Sequence, residues 1–353
     1  MLLLALALSS PIAAGARAAA QYAEREDVRQ FIAEMVDRHG FVRKELRALF
    51  SKARFQPAIV KAITPPIEPR AKSWQAYRAL FLTPQRIQAG VEFGVRYREP
   101  LARAAELYGV PEEIIVAIIG VETVYGRNTG SYRVIDALST LAFDYPPRAE
   151  FFRGELEHYL LYARDAGIDT LALKGSYAGA IGIPQFMPGS YRRYAVDMDG
   201  DGRQDLSGSF ADAIGSVANF LKAHGWETGQ PVAYPAQVQG ENFRKLIDAG
   251  IKPTYRCGDL AQFGVRVSGV NVSGANVSGA NVSEANVSGV SAGGDIRAEA
   301  SCALIELETP GEASVYLAGL TNFYVLTRYN RSSLYATAVL ELAQAVRSAS
   351  APR

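Results

Sequence analysis

One apolar stretch decides how the rest of the chain is interpreted, and it reads Val110-Pro111-Glu112-Glu113-Ile114-Ile115-Val116-Ala117-Ile118-Ile119-Gly120-Val121-Glu122. A proline followed by two acids is typical of the first turn of a helix. The middle of the stretch is apolar on every side, so we predict that this helix is buried. Glu122 follows Ile119 by three residues and Ile118 by four, which places its carboxyl on an apolar face of the helix.

A carboxyl in this position is suited to acid catalysis. Apolar walls disfavour the charged form, raise the pKa and let the group stay protonated near neutrality. A general acid that protonates a glycosidic oxygen needs this property. Gly126 is expected to end the helix. The alternative is a Glu122 that reaches solvent from the helix end or pairs with Arg127.

A second segment, from Lys174 to Pro188, is rich in small residues. Glycine and alanine let a ligand approach the backbone closely, while Ser176, Tyr177 and Gln185 offer hydrogen bonds and an aromatic face. Sugar binding needs this combination of groups. The alternative is a tight turn between helices, in which the glycines serve packing.

A third segment, from Asp197 to Asp205, predicts a calcium loop of the EF-hand type. Oxygen ligands stand at loop positions 1, 3, 5 and 9, and glycine stands at position 6. Position 12, normally a glutamate, is Gly208, so the next carboxylate gives a shifted site. A solvated acidic turn is the alternative. The predicted metal ligands, with position 7 contributing a backbone carbonyl, are Asp197, Asp199, Asp201, Arg203 and Asp212.

The composition is that of a globular protein without a strong charge. Of the 353 residues 48% are hydrophobic, and 37 basic residues balance 36 acidic ones to a net charge of +1. This balance argues against a nucleic-acid partner and favours a largely uncharged substrate. Three histidines are too few and too scattered to indicate a zinc site.

The N-terminus indicates export. An apolar run, Leu2 to Leu8, precedes an A-x-A cleavage pattern at Ala16 to Ala18, so we predict a signal peptide over residues 1–18. A plain N-terminal helix is the alternative. No cysteine follows this region to carry a lipid anchor, so we expect a soluble periplasmic protein. In that oxidising compartment Cys257 and Cys302 are candidates for a disulfide.

The chain as a whole is predicted to be mainly helical. The stretch Ala303–Leu307 instead reads as a strand, in a small strand-containing lobe. A five-residue Asn-Val-Ser repeat within that lobe resembles a pentapeptide pattern, and we interpret it as a flexible insertion. The predicted segments are a helical lobe at 19–110 completed by 315–353, a catalytic core at 111–230 with its calcium loop at 197–212, and the strand lobe at 231–314 with its insertion at 269–290.

Five motifs follow one another along the chain, at Gly120–Gly126, Ile135–Leu141, Ser176–Ala180, Gln185–Pro188 and Asn322–Asn330. Together they resemble the membrane-bound lytic murein transglycosylase B family. The likeness runs from about Gln21 to Val346 and excludes the repeat.

The resemblance implies a lysozyme-like core with Glu122 as the catalytic acid/base and a structural calcium ion in the central lobe. It implies no cofactor for catalysis. Phe220 stands where the family has another tyrosine of the cleft. The expected substrate-binding residues, Tyr177 being taken from the second segment above, are Tyr77, Ser176, Tyr177, Gln185, Phe220, Tyr329, Asn330 and Tyr335.

The implied partner is the glycan strand of peptidoglycan, bound by a monomer. The family mechanism is non-hydrolytic and leaves a 1,6-anhydro end on N-acetylmuramic acid. Two alternatives stay open. One is a lysozyme-type hydrolase with Asp136 or Asp144 as its second carboxylate, because hydrolysis needs a carboxylate pair. The other is a peptidoglycan-binding protein without catalytic activity.

Overall fold

A computed structural model describes residues 22–64, 73–268 and 298–351. The predicted signal peptide at 1–18 and the repeat at 269–290 lie outside these residues. Over the described ranges, no helix combines the length and the apolar character that crossing a membrane requires.

Fourteen α-helices are found in the described residues, and they confirm the mainly helical fold class. In chain order, α1 to α14 are Glu26–His39, Arg43–Phe50, Pro57–Ile63, Trp74–Phe81, Pro84–Arg96, Arg98–Tyr108, Glu112–Thr123, Val134–Asp144, Ala149–Asp165, Pro188–Tyr194, Phe210–Ala223, Arg244–Asp248, Thr321–Tyr329 and Ser333–Ser350. The seven strands β1 to β7 are Tyr132–Arg133, Lys174–Gly175, Ala233–Val238, Tyr255–Arg256, Val265–Val267, Ser301–Leu307 and Val315–Gly319.

The described residues divide into two compact units. The first unit contains 22–64, 129–181 and 185–193. The second unit contains 73–128, 182–184, 194–268 and 298–351. The boundaries of the segments expected from the sequence stay a prediction.

The first unit is built around two helices that follow each other in the chain, α8 and α9, which pack on each other. Their contact buries apolar side chains such as Leu138, Leu141, Leu156 and Leu160. The short strands β1 and β2 pair antiparallel in this unit, with Tyr132 opposite Gly175. This pairing holds the start of the small-residue segment.

The second unit has α7 at its centre. All of its residues from Ile114 to Val121 are buried, as its apolar sequence predicts. Helices α5, α6, α11 and α14 all pack against it. Burial on this scale stabilises the unit by about 1.5–3 kcal/mol for each large apolar side chain. The helix that carries Glu122 is therefore one of the most firmly packed elements of the second unit.

A five-stranded antiparallel sheet belongs to the same unit, with strand order β4-β6-β7-β3-β5. The predicted strand Ala303–Leu307 is confirmed as the main part of β6, which is buried along most of its length. Cys257 and Cys302, the latter a residue of β6, belong to the hydrophobic core that packs with this sheet.

Candidate active site

Glu122 is the next-to-last residue of α7. It is half-buried, and burial raises the pKa of its carboxyl from 4.5 to about 7, while a hydrogen bond from Tyr335 acts in the opposite direction. The desolvation argued from the sequence is therefore present. Its partner is Tyr335 rather than Arg127.

The backbone after Glu122 turns sharply. Val124, Tyr125 and Gly126 have φ values of 52°, 60° and 83°, all in the left-handed region. For residues other than glycine this conformation costs about 1–2 kcal/mol each. The helix stop expected at Gly126 is therefore misplaced: α7 ends at Thr123, because Val124 already leaves the helical conformation.

A notch lined by two glycines accommodates the ring of Tyr125. A Cβ atom at Gly120 or at Gly90 would lie 2.5 Å from the Tyr125 hydroxyl oxygen, closer than real contacts allow. The same hydroxyl donates a hydrogen bond to the carbonyl of Arg86 at 3.1 Å. Gly120 is thus needed for packing of the turn next to Glu122.

Tyr335, from the first turn of α14, contacts the carboxyl directly. Its hydroxyl donates to Oε1 of Glu122 at 2.7 Å, and the residue is only 2% exposed. Burial, followed by the nearby charge of Glu122, raises its own pKa well above the usual value. The tyrosine therefore stays protonated and can serve Glu122 as a hydrogen-bond donor. Its expected contact with the glycan stays a prediction.

Other predicted residues cluster near this pair. The ring of Tyr329 stacks on that of Tyr335 with 6.3 Å between centroids, and Phe220 packs edge-on against Tyr329 at 4.8 Å. Tyr77, in α4, is half-buried, and its pKa is raised by burial and then by the charge of Glu122. Asn330, just after α13, is exposed. The second unit thus brings together one carboxyl and several aromatic rings.

The first unit contains the other three predicted residues. Tyr177 is exposed over 42% of its surface, so its ring is free to meet a ligand. Ser176 accepts a hydrogen bond from the Ala180 N–H at 3.0 Å. Gln185 donates to the Thr129 carbonyl at 3.1 Å and has a φ of 52°. Such strain in a residue other than glycine is frequent at ligand sites.

The glycines of this segment have packing reasons of their own. A Cβ at Gly175 would lie 2.2 Å from the Ala180 carbonyl oxygen, and one at Gly179 would lie 2.5 Å from Leu138. The two interpretations of this segment, a tight turn and a sugar-binding segment, are therefore compatible. Its glycines serve the turn, and its polar side chains remain the candidates for sugar binding.

Asp136 and Asp144, the possible second carboxylates, are both held in ion pairs of the first unit. Asp136 is 3% exposed, lies 2.8 Å from the Arg133 guanidinium and accepts the Arg54 N–H at 2.9 Å. Asp144 pairs with Arg25 at 2.6 Å and accepts a hydrogen bond from a tyrosine hydroxyl. These contacts account for both carboxylates as structural groups.

The acidic loop before α11 brings three of the predicted metal ligands together. Oxygens of Asp197, Asp199 and Asp212 all lie within 4.8 Å of one another. Asp201 lies in the same loop but outside this group, and the roles of Asp201 and Arg203 stay predictions.

Asp212 decides whether this loop suits a cation. It is fully buried and accepts backbone N–H groups from Met198 at 2.7 Å and from Asp205 at 2.8 Å. Burial, and to a smaller extent the neighbouring charge of Asp199, nonetheless raises the pKa of its carboxyl. A hard divalent cation with oxygen ligands would offset this concentration of negative charge. The donor set thus suits calcium.

Cys257 and Cys302 are both buried, and the structure shows them as thiols rather than as a disulfide. The Cys257 N–H bonds to the Ala300 carbonyl, and Cys302 pairs with Tyr255 across β4 and β6. A hydrogen bond with Cys257, followed by burial, raises the pKa of the Cys302 thiol. The disulfide stays a prediction, and labelling of two free thiols in protein purified without reductant would rule it out.

Sequence reasoning missed the contact between Tyr335 and Glu122, which joins residues 213 positions apart. It also missed Thr123, whose side chain is fully buried between α7 and the 182–184 segment. A polar residue directly after the candidate acid was the available signal.

Comparison with known proteins identifies the family of this chain. A family model described as the transglycosylase SLT domain matches residues 23–344. Membrane-bound lytic murein transglycosylase B of Escherichia coli is 42% identical over 334 residues, which cover 92% of this chain and 84% of that protein. Soluble lytic transglycosylase SltB1 of Pseudomonas aeruginosa is 45% identical, with a TM-score of 0.79 and coverage of 92% of this chain and 99% of that one.

Two further relatives were solved with bound ligands. Lytic transglycosylase Slt35 of Escherichia coli, in complex with calcium, is 42% identical with a TM-score of 0.76, covering 93% of this chain and 95% of its own. SltB3 of Pseudomonas aeruginosa, in complex with NAG-NAM-pentapeptide, is 30% identical with a TM-score of 0.71, covering 90% of this chain and 78% of its own.

These matches confirm the lysozyme-like fold class and the resemblance read from the five motifs. The chain therefore belongs to the membrane-bound lytic murein transglycosylase B family, within the transglycosylase SLT domain family.

Proposed function

We propose that the protein is a lytic transglycosylase that cleaves the β-1,4 bond between N-acetylmuramic acid and N-acetylglucosamine in peptidoglycan without consuming water. The observation that carries the proposal is the Glu122 carboxyl, which is half-buried, has a pKa of about 7 and accepts a tyrosine hydroxyl. The names of the relatives, which include lytic murein transglycosylases, support it.

The reaction needs one group that gives a proton and later takes one. Protonated Glu122 donates its proton to the glycosidic oxygen, and the C1–O bond breaks while the 2-acetamido group stabilises the positive charge at C1. The C6 hydroxyl then attacks C1 and gives its proton to the Glu122 carboxylate. A new C1–O6 bond replaces the broken one, and Glu122 ends in its starting state. A pKa near the working pH suits both halves of this cycle.

Substrate binding falls to the polar and aromatic side chains described above. Tyr77 and Tyr329, close to Glu122, offer aromatic faces for sugar rings. Ser176, Gln185 and Asn330 offer hydrogen bonds to hydroxyl and acetamido groups. We assign these residues to orientation of the glycan rather than to proton transfer. Tyr177, Phe220 and Tyr335 complete the proposed set.

Calcium is proposed to have a structural role. Asp197, Asp199 and Asp212 would hold it, because their oxygens converge and Asp212 is buried. When bound, the ion neutralises these carboxylates and ties the loop to the start of α11. The site of action is proposed to be the periplasm, where peptidoglycan lies.

Mass analysis of muropeptides released from purified sacculi tests the proposal. We expect products that end in 1,6-anhydro-N-acetylmuramic acid. A lysozyme-type hydrolase would instead give reducing ends, heavier by one water. Absence of release by a folded protein would leave a peptidoglycan-binding protein without catalytic activity.

A further inference from the structure

Thr123 directly follows Glu122 and is the last residue of α7. It is polar, yet its exposed fraction is 0%. A threonine within a helix usually bonds to the carbonyl four residues earlier. Here that carbonyl, of Ile119, is 3.3 Å from Oγ1, and two shorter bonds lead out of the helix.

The Thr123 hydroxyl lies between two backbone groups. It is 2.9 Å from the Ile183 carbonyl, to which it donates, and it accepts the Gly126 N–H at 2.9 Å. A hydroxyl has one proton, so the shorter distance assigns that proton to Ile183. The side chain thus joins the end of α7 both to the turn that follows and to the 182–184 segment.

The 182–184 segment is itself fixed within the second unit. The Ile183 N–H donates to the Leu206 carbonyl at 2.8 Å. The Tyr329 hydroxyl donates to the Pro184 carbonyl at 2.6 Å. Thr123 is therefore bonded to a segment that has other anchors, and it can hold the end of α7 against that segment.

The turn after Glu122 needs such support. Val124 and Tyr125 adopt left-handed conformations that persist only where surrounding contacts hold them. The bond from the Gly126 N–H to Thr123 closes this turn at its far end. Without the hydroxyl, the Gly126 N–H and the Ile183 carbonyl lose a partner, and the last turn of α7 is free to relax.

We propose that Thr123 is a positioning residue for catalysis, whose hydroxyl holds the last turn of α7 so that the Glu122 carboxyl stays in its half-buried place beside Tyr335. The proposal rests on the proposed function of Glu122. It predicts that loss of the hydroxyl lowers kcat more than it changes KM, because Thr123 is bonded to backbone groups of the protein itself.

The test compares Thr123→Val, which keeps the shape and removes the hydroxyl, with Thr123→Ser, which keeps the hydroxyl. Thr123→Ala is the second variant without a hydroxyl, in case the valine protein does not fold. Thr140→Val is the matched control, because Thr140 is also fully buried and accepts a backbone N–H, that of Gln56, at 3.0 Å. Turnover of a soluble peptidoglycan oligomer is measured per folded molecule.

We expect Thr123→Val or Thr123→Ala to lower kcat on the order of 10–10²-fold, as displaced catalytic groups do, with KM within about threefold of wild type. Thr123→Ser and Thr140→Val should stay within about threefold in both constants, because the first keeps the hydroxyl and the second removes a hydroxyl that bonds to Gln56 rather than to the turn after Glu122.

The pH profile gives a readout that a purely structural role would not move. The titratable groups facing Glu122 in the described residues are Tyr77, Tyr329 and Tyr335, and all three remain neutral below pH 9 because their pKa values are raised. The alkaline limb of kcat/KM therefore reports Glu122. In Thr123→Val that limb should move to lower pH, because a loosened turn lets water reach the carboxyl.

Three results would overturn the proposal: an unchanged kcat and alkaline limb in the variants without the hydroxyl, an equal loss in Thr123→Ser, or an equal loss in Thr140→Val. Failure of the proposed function is distinguishable, because the wild-type protein itself would then release no anhydro product.

Discussion

Glu122, at the end of α7, and Asp136, in the first turn of α8, are both carboxyl groups on buried helices, but their partners differ. Asp136 faces the Arg133 guanidinium and a backbone N–H. Glu122 accepts a neutral tyrosine hydroxyl, and burial raises its pKa to about 7. A buried carboxylate with a cation is a structural ion pair, whereas one held by a neutral donor remains able to exchange a proton near neutrality.

The largest effect is expected from Glu122→Gln, which matches the carboxyl in size but can neither donate nor accept the proton. Loss of general acid–base catalysis costs about 10²–10⁴-fold, and both halves of the reaction are affected. Muropeptide release per folded molecule measures it. Residual release above a few per cent of wild type would exclude Glu122 as the sole catalytic carboxyl.

The stability of this variant relative to wild type should depend on pH, because only the wild type has the titrating carboxyl. The pKa of Glu122 is raised on folding, so the stability it contributes is present below pH 4.5 and is lost as the pH rises through about 7. Above that pH, Glu122→Gln should unfold in urea at a concentration no lower than wild type.

Asp136→Asn should show the opposite pattern. Asp136 is buried but its partner Arg133 is partly exposed, so loss of this ion pair should destabilise the protein by about 1.5–3 kcal/mol, while turnover per folded molecule should stay close to wild type. Urea unfolding and muropeptide release measure the two effects. A stable Asp136→Asn protein without activity would instead make Asp136 a catalytic carboxylate and favour hydrolysis.

Removal of calcium extends the comparison to Asp212, a buried carboxyl for which we propose a metal ion as the partner. An ion bound only by the native state stabilises it by about 2.7 kcal/mol at a hundredfold excess over Kd. Chelation should lower the melting temperature of wild type, but not that of Asp212→Asn. Asp165→Asn, which alters an exposed acid, should respond like wild type. An unchanged wild-type melting curve would leave only the acidic-turn interpretation.

Tyr335→Phe should have the smallest effect in free energy. It tests the neutral partner that distinguishes Glu122 from Asp136. The hydroxyl lowers the pKa of Glu122, so its removal should move the alkaline limb of the pH profile to higher pH. The rate should fall by about threefold to tenfold, as expected for one hydrogen bond. A limb that moves to lower pH would show that Tyr335 excludes water rather than stabilising the carboxylate.

Elements of the fold were predictable where one hydrophobic pattern dominated a stretch of sequence. The apolar run from Ile114 to Val121 predicted a buried helix, and the alternation at Ala303–Leu307 predicted a strand. The helix end was misplaced because Val124 disfavours the left-handed conformation it adopts, and tertiary contacts override that preference.

The site was predictable only in part. The apolar face around Glu122 indicated a raised pKa, because neighbours three and four residues apart share a helix face. The hydroxyl of Tyr335 could not be placed from local sequence, since α14 returns to α7 from 213 residues away. The contacts of Thr123 depend on the 182–184 segment in the same way.

Direct titration of Glu122 tests the central claim most closely. Carboxyl-labelled glutamate can be followed by carbon NMR from pH 4 to pH 9, with Glu122→Gln used to identify the signal. The account predicts a midpoint of about 7, so that a large fraction is protonated at neutral pH. A midpoint near the ordinary value of 4.5 would contradict it, because Glu122 would then be a carboxylate when the glycosidic oxygen needs a proton.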